Sequence, residues 1–273
     1  MSSDMGSDGG ATYEVYAVKY ATMQNRTRST NIMNVDPHNN GPMPIDYFVW
    51  AIVGEDRHFV VDTGFVQADA DKRGRTLLRD PAEGLKMIGI DAAKTEEVIV
   101  THMHYDHIGG YERFPEARFH LQEREMQFAT GVHMCTSTLN HSFEPGHISG
   151  MIHRVFDGRV RFHNGDAQIA PGITLHFIGG HTMGLQVVRV RTRRGWLVLA
   201  SDASHFYENM EKIAPFPVLY NLGDMIKGYQ RLYDLADEHA NVIPGHDPQV
   251  LERYPAAKSG LEGIAVRLDA DPI

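Results

Sequence analysis

"VTHMHYDHIGG", residues 100–110, sets three histidines and one aspartate within six positions, between an apolar run and a glycine pair. The preceding "EEVIV" reads as a buried strand that leads into this stretch. Alternate side chains of an extended chain point the same way, so His102 and His104 are expected to face one point in space. The chain then turns, and the adjacent Asp106 and His107 swing toward a second point nearby. Gly109 and Gly110 permit tight packing beyond the turn. Neutral imidazoles and carboxylates are the ligands that zinc and similar divalent cations take.

Four donors do not complete two metal sites, so further donors must come from elsewhere in the chain. Three junctions between a strand and a loop offer them: His181 in "FIGGHTMG", Asp202 in "LVLASDAS" and His246 in "NVIPGHDP". Each lies just past an apolar strand, where a rigid scaffold presents side chains on loops. His181 and His246 each follow a glycine, which lets the backbone bend closely.

Reading outward, "TYEVYAVKYA" alternates as a strand, and "YFVWAIVG" with "RHFVVDTG" reads as a hairpin of buried strands. "ARFHLQ", "GITLHFIGG", "LQVVRVRT", "GWLVLASD" and "NVIPGHD" are further strands. Helices are expected in "GRTLLRDPAEGLKMIGI" with a break at Pro81, in "HIGGYERF", in "EREMQFAT", and in "LGDMIKGYQRLYDLADEH". In the last of these, Met225, Ile226, Tyr229, Leu232 and Leu235 share one face. Strand groups alternating with helices predict an α/β protein of two packed sheets with helices outside. Residues 1–12, polar and glycine-rich, read as a disordered tail, and 13–273 as one domain with an insertion or lid at about 130–165.

The chain has 273 residues, 42% hydrophobic and 22% charged, enough for one large core. A formal net charge of −9 argues against a nucleic-acid partner. No apolar run approaches the roughly 20 residues of a membrane span. The opening lacks a signal-peptide pattern, and Cys135 is the only cysteine, which fits a reducing compartment; both point to the cytoplasm. "RVRTRRG" reads as a solvated strand end and turn.

H-x-H-x-D-H followed by G-H-T, S-D and G-H in this order resembles the metallo-β-lactamase-fold hydrolases, over about residues 13–254. "VVDTG" (60–64) is part of the likeness, and its Asp62 matches an aspartate beneath the metals. The "IDYFVWAI…FVVDTGF" entry, the "SDAS" and "IPGHD" segments and the chain length are most similar to the N-acyl homoserine lactonase family.

The resemblance implies an αββα sandwich of two mixed β-sheets with helices on the outer faces. It implies that His102, His104 and His181 hold a first divalent metal, that Asp106, His107 and His246 hold a second, and that Asp202 bridges them. Zinc suits this nitrogen and oxygen set, which also accepts iron, manganese or cobalt. Two such cations lower the pKa of a shared water from 15.7 toward roughly 7. The implied reaction is attack of that bridging hydroxide on a lactone, an N-acyl homoserine lactone or related cyclic ester, with Asp106 protonating the leaving alkoxide.

Where these lactonases read D-A-x-Y, this chain reads D-A-S-H, which puts His205 in place of a tyrosine that contacts the substrate carbonyl. His205 is expected either to donate a hydrogen bond in that role or to mark a pocket that serves a different carbonyl compound. Tyr207, the nearest tyrosine, and Phe65, after the "DTG" turn, are expected in the substrate pocket, with core packing the other reading of Phe65. His133, His141, His147 and His153 are expected at its entrance or in solvent. The expected partner is a small lactone or ester, with a homodimer left open and neither nucleic acid nor membrane involved.

Other readings are hydrolysis of a thioester or of an amide such as a β-lactam, a persulfide dioxygenase with one iron, and a nuclease. The non-enzymatic reading is a binding protein that keeps the fold.

Overall fold

Alternation in "IDYFVWAIV" decides the architecture. Phe48, Trp50 and Ile52 face one way and Tyr47, Val49 and Ala51 the other, and both rows are buried. A strand buried on both faces must lie inside a layered structure. In the computed structural model, which describes residues 11–273, this strand is central to the larger of two sheets. The expected tail lies outside the described residues, apart from residues 11 and 12.

The strands in chain order are β1 (Glu14–Met23), β2 (Ile45–Val53), β3 (His58–Val61), β4 (Thr76–Leu77), β5 (Glu97–Ile99), β6 (Arg118–Gln122), β7 (Val160–His163), β8 (Ala167–Ala170), β9 (Ile173–Phe177), β10 (Gln186–Thr192), β11 (Gly195–Ser201), β12 (Val242–Pro244) and β13 (Ala265–Arg267). The larger sheet runs β13-β1-β2-β3-β5-β6-β7, with β4 also paired to β1, and the smaller runs β12-β11-β10-β9-β8. Both sheets are mixed. β2 and β3 form the expected hairpin, with Trp50 opposite Val61. β3, β5, β6 and β7 run parallel to one another, as do β11 and β12.

Phe48, Trp50, Val61 and Ile99 of the larger sheet pack against Leu175, Val188 and Leu199 of the smaller one, which makes the central core. Helices cover the outer faces. The helix Pro81–Met87 packs Leu85 against Val18 and Val49, and the helix Leu222–Leu235 packs Met225, Tyr229 and Leu232 against the smaller sheet. Ile226, expected on the same face, is 40% exposed.

Three local expectations change. Pro81 starts its helix instead of breaking one, because Asp80 caps it by accepting from the Ala82 amide at 2.9 Å. Before it, Thr76 and Leu77 pair with β1. Of "HIGGYERF" only His107 and Ile108 are helical, as the end of the helix Tyr105–Ile108, and Tyr111–Arg113 forms one further tight turn. Within residues 130–165, the helix Pro145–Phe156 is followed by β7, which belongs to the larger sheet. No helix among the described residues is long and apolar enough to cross a membrane.

Candidate metal centre

Parallel pairing brings together loops that are distant in sequence. Because β3 and β5 are parallel neighbours, the residues that follow them, Asp62 and 101–107, emerge side by side. β11 and β12 do the same for Asp202 and His246. His181, in the loop between β9 and β10, completes the set at this edge of the sandwich.

Close backbone approach makes the convergence tight. A Cβ on Gly110 would lie 2.2 Å from the Thr63 carbonyl oxygen, so only glycine lets the 107–110 turn rest on the loop after β3. A Cβ on Gly245 would lie 2.7 Å from the Ser201 backbone and 2.9 Å from Asp202 Oδ1, which is how His246 comes to stand beside Asp202. Asp62 and Ser201 themselves take left-handed backbone, φ 61° and 44°, at the ends of β3 and β11. Such strain gathers at functional sites.

All seven side chains expected as ligands are gathered here. Asp202 Oδ2 lies 3.2 Å from His181 Nε2 and 3.8 Å from His102 Nε2. Its Oδ1 lies 2.9 Å from His246 Nε2 and 3.3 Å from His107 Nε2. The two oxygens of one carboxylate thus face two separate groups of imidazoles. His104 joins the first group through Nδ1, 2.9 Å from His181 Nε2. Asp106 joins the second, its Oδ2 3.7 Å from His107 Nε2 and 3.8 Å from His246 Nε2. His102, His104 and His181 form one cluster able to hold a cation, and Asp106, His107 and His246 another. His102 and His104 lie in the loop beyond β5 and not in the strand itself, so loop geometry, not strand alternation, turns them together.

The outward nitrogens are tied down. His107 Nδ1 donates to Asp62 Oδ2 at 2.7 Å, His246 Nδ1 to the Asp46 carbonyl at 2.8 Å, and His181 Nδ1 to the Val218 carbonyl at 2.6 Å. Asp62 also accepts from the Thr101 amide at 2.7 Å and hydroxyl at 2.8 Å. These bonds fix the rings, so Nε2 of His107, His246 and His181 points inward. There His102 Nε2, His107 Nε2 and Asp202 Oδ1 are buried with no hydrogen-bond partner. Burial, and then the neighbouring imidazoles, hold His102 and His104 well below the usual imidazole pKa, so both rings are neutral. Burial also opposes charge on His107, but Asp202, Asp62 and Asp106 overcome it and push its pKa well up. The carboxylates therefore draw positive charge to the inward nitrogen of His107, where a divalent cation can take the place of a proton. The residues of the pocket fit divalent cations.

His205 is buried beside Asp202, and its Nε2 donates to Asp202 Oδ2 at 2.9 Å. Its ring stacks on Phe216 with centroids 3.5 Å apart. Burial pushes its pKa down to about 3, so the ring is neutral and its one N–H is engaged by Asp202. It lines the cavity, but the N–H expected to meet a substrate carbonyl is turned to the aspartate. Phe65 is fully buried among Tyr20, Tyr47 and Tyr105, and Tyr207 lies in the core under the Arg253 guanidinium. Neither lines the cavity. Aromatic residues next to a site are drawn into the core by the same apolar surface that makes them look like pocket residues.

Other residues of the site carry no sequence signal. Glu125 is fully buried and accepts from the Met103 amide at 2.8 Å, the Thr182 hydroxyl at 2.7 Å and the Gly184 amide at 3.0 Å. It braces the 102–107 loop against the loop that carries His181. Above the imidazoles a cavity of about 240 Å³ is lined by Arg26, Tyr47, Arg75 and Tyr105 as well as by Asp106 and His205. His141, expected at an entrance, lines it too; His147 stands apart, 3.5 Å from Asp69.

With this geometry in view, likeness to other proteins has a physical meaning. The chain is 26% identical over 270 residues to the N-acyl homoserine lactonase AttM of Rhizobium johnstonii, covering 88% of this chain and 97% of that protein. Among solved structures, a quorum-quenching N-acyl homoserine lactone lactonase superposes with a TM-score of 0.69 at 20% identity, over 88% of this chain and 94% of the other. AidC, a dizinc quorum-quenching lactonase in complex with a product, N-hexanoyl-L-homoserine, superposes with a TM-score of 0.68 at 16% identity, over 88% and 89% of the two chains. At these identities the structural likeness is one of fold. The sequence model of the metallo-beta-lactamase superfamily matches residues 44–260, most of the chain, and to that superfamily this chain belongs.

Proposed function

We propose that this chain is a metal-dependent hydrolase that holds two divalent cations, zinc foremost, and opens the ring of an N-acyl homoserine lactone or related cyclic ester. One observation carries the reading: the two oxygens of Asp202 face separate groups of inward imidazole nitrogens. The name of the relative AttM and the product bound to AidC support the choice of a lactone.

His102, His104 and His181 would hold one cation, Asp106, His107 and His246 the other, with Asp202 shared. When bound, such a pair supplies a water activated as nucleophile and a Lewis acid for the carbonyl. The protein's own groups do the rest. Asp62 keeps His107 in the ligating tautomer. His205, held flat on Phe216, fixes the rotation of Asp202, which makes it a positioning residue. Asp106, at 9% the most exposed of the set, carries a proton to the leaving alkoxide. Leu139, His141 and Ser142 line the cavity, which supports reading that part of the 130–165 segment as a lid.

The test is metal analysis of the purified protein alongside acid release from lactones, thioesters and β-lactams. About two metal ions per chain are expected, with lactone opening that a chelator removes and zinc restores. Full activity in metal-free protein, or preference for the thioester or β-lactam, overturns the reading.

A further inference from the structure

The cavity over the imidazoles has two lobes of opposite character that share His104, His141, His181 and Val218. One, of about 250 Å³, adds Phe128, Leu139, Pro217 and Leu219, and is mainly apolar. The other, of about 240 Å³, adds Arg26, Arg75, Tyr47 and Tyr105 beside Asp106. An apolar lobe accepts a hydrocarbon portion of a substrate. Two of the three arginines there, Arg26 and Arg75, call for a different explanation.

Pairing of β4 with β1 brings them together, since Arg75 precedes β4 and Arg26 follows β1. Each guanidinium is held in place by neutral acceptors. Arg26 Nε donates to Asn31 Oδ1 at 2.6 Å and Nη2 to the Thr30 carbonyl at 2.8 Å. Arg75 Nε donates to Tyr105 Oη at 3.0 Å and Nη1 to the Arg73 carbonyl at 2.7 Å. Among the described residues neither forms an ion pair with a carboxylate. Arg73, by contrast, is paired with Glu144. Tyr105 Oη donates on to Tyr47 Oη at 3.5 Å, which leaves the Tyr47 proton to give. Two half-buried, fixed cations with N–H groups to spare, next to a phenol donor, form a receptor for a planar anion. Arginines that merely covered the cavity wall would need neither fixed heads nor each other's company. Bringing two like charges together is unfavourable until an anion joins them.

We infer that this lobe binds a carboxylate carried by the substrate, so that the lactone opened is anionic at one end and apolar at the other. The choice of a lactone rests on the proposed function; anion binding by Arg26 and Arg75 does not. The carboxylate docks on the two arginines and Tyr47 while the ring ester lies over the imidazoles.

The probes are γ-carboxy-γ-butyrolactone and its methyl ester, compared by kcat and KM, and tetrahydrofuran-2-carboxylate, a ring without the ester, compared by calorimetric binding. The metal-loaded protein is used throughout. The wild type is expected to favour the carboxylate lactone over its methyl ester by at least about tenfold in kcat/KM, mainly through KM. R26Q and R75Q, each with wild-type metal content, are expected to lose that preference and the binding of tetrahydrofuran-2-carboxylate, while R75K retains part of both. If neither lactone is opened but tetrahydrofuran-2-carboxylate binds the wild type and not the glutamine variants, the anion site stands and the lactone reading fails. Equal use of acid and ester, or anion binding that survives in both glutamine variants, overturns the inference.

Discussion

Strand β5 carries a cluster of histidine and carboxylate at each end, and the two differ in what their ring nitrogens face. At its start, Glu97 accepts from His120 Nε2 at 2.9 Å, and His120 Nδ1 meets His163 Nε2 at 3.0 Å, the two rings stacked with an interplanar angle of 5°. The nitrogens within that chain of contacts satisfy one another. Beyond its end, His102 Nε2 and His107 Nε2 point into a buried space with no partner, across from Asp202. The first cluster even borders the larger cavity, about 360 Å³. Residue type and cavity size therefore do not distinguish a metal centre from a structural polar network. Outward nitrogens that are tied, with inward ones left free, do.

The comparison breaks most visibly if the free nitrogens are not ligands. H104A and D202N are each expected to lower turnover by more than about a hundredfold, beyond the loss typical of an outer partner, and to reduce bound metal. Elemental analysis beside the lactone assay checks this, and wild-type metal content in both variants would contradict the ligand assignment.

A smaller effect is expected one layer out. D62N keeps the shape of the side chain but puts an amide where His107 and Thr101 now find a carboxylate. Metal affinity should fall by about 10–100-fold while the protein remains folded, measured by competition with a chromogenic chelator.

The smallest effect sharpens the contrast from the other side. H163F should leave metal content unchanged and cost about 1–3 kcal/mol of stability, by depriving buried His120 of a partner. Burial, and then His120 and Arg161, push the His163 pKa from 6.5 down to about 4. Its folded value lies below its unfolded one, so the unfolded chain takes up the proton first. The stabilisation from the neutral ring is full above about pH 6.5 and is lost as pH falls toward 4. Denaturant melts across that window should show a smaller drop in H163F than in the wild type, since His102, His104 and His205, also neutral when buried, contribute to the drop in both.

Much of this was legible in the primary structure. The seven candidate donors at 102, 104, 106, 107, 181, 202 and 246 stand out because each lies in a segment that follows an apolar strand, and a strand end is where a sheet hands a side chain to a loop. The β2–β3 hairpin is equally plain from two short apolar runs, and the helix at 222–235 from period 3.6. Pro81 reads as a break because proline disrupts a helix interior yet favours its first turn, and only the Asp80 cap distinguishes the two. Tyr207 lies in the core and not the pocket, and of the two readings of Phe65 the core one fits, because an apolar ring beside a site serves the core and a pocket equally well.

The amino-acid order alone determined the chemistry available at this centre: neutral nitrogen and carboxylate donors, with no thiolate among them, and the strand-bounded segments that carry them. Three-dimensional packing decided the rest. Which nitrogen of each imidazole faces inward depends on partners up to 200 positions away, as for His246 and the Asp46 carbonyl. The meeting of Arg26 with Arg75 depends on a two-residue strand that only pairing with β1 makes real. The turn of His205 toward Asp202 depends on the flat contact with Phe216. Hydrogen bonds and ring contacts act over a few ångströms, and nearness of that kind between remote residues is set by the fold and not by the order of the chain.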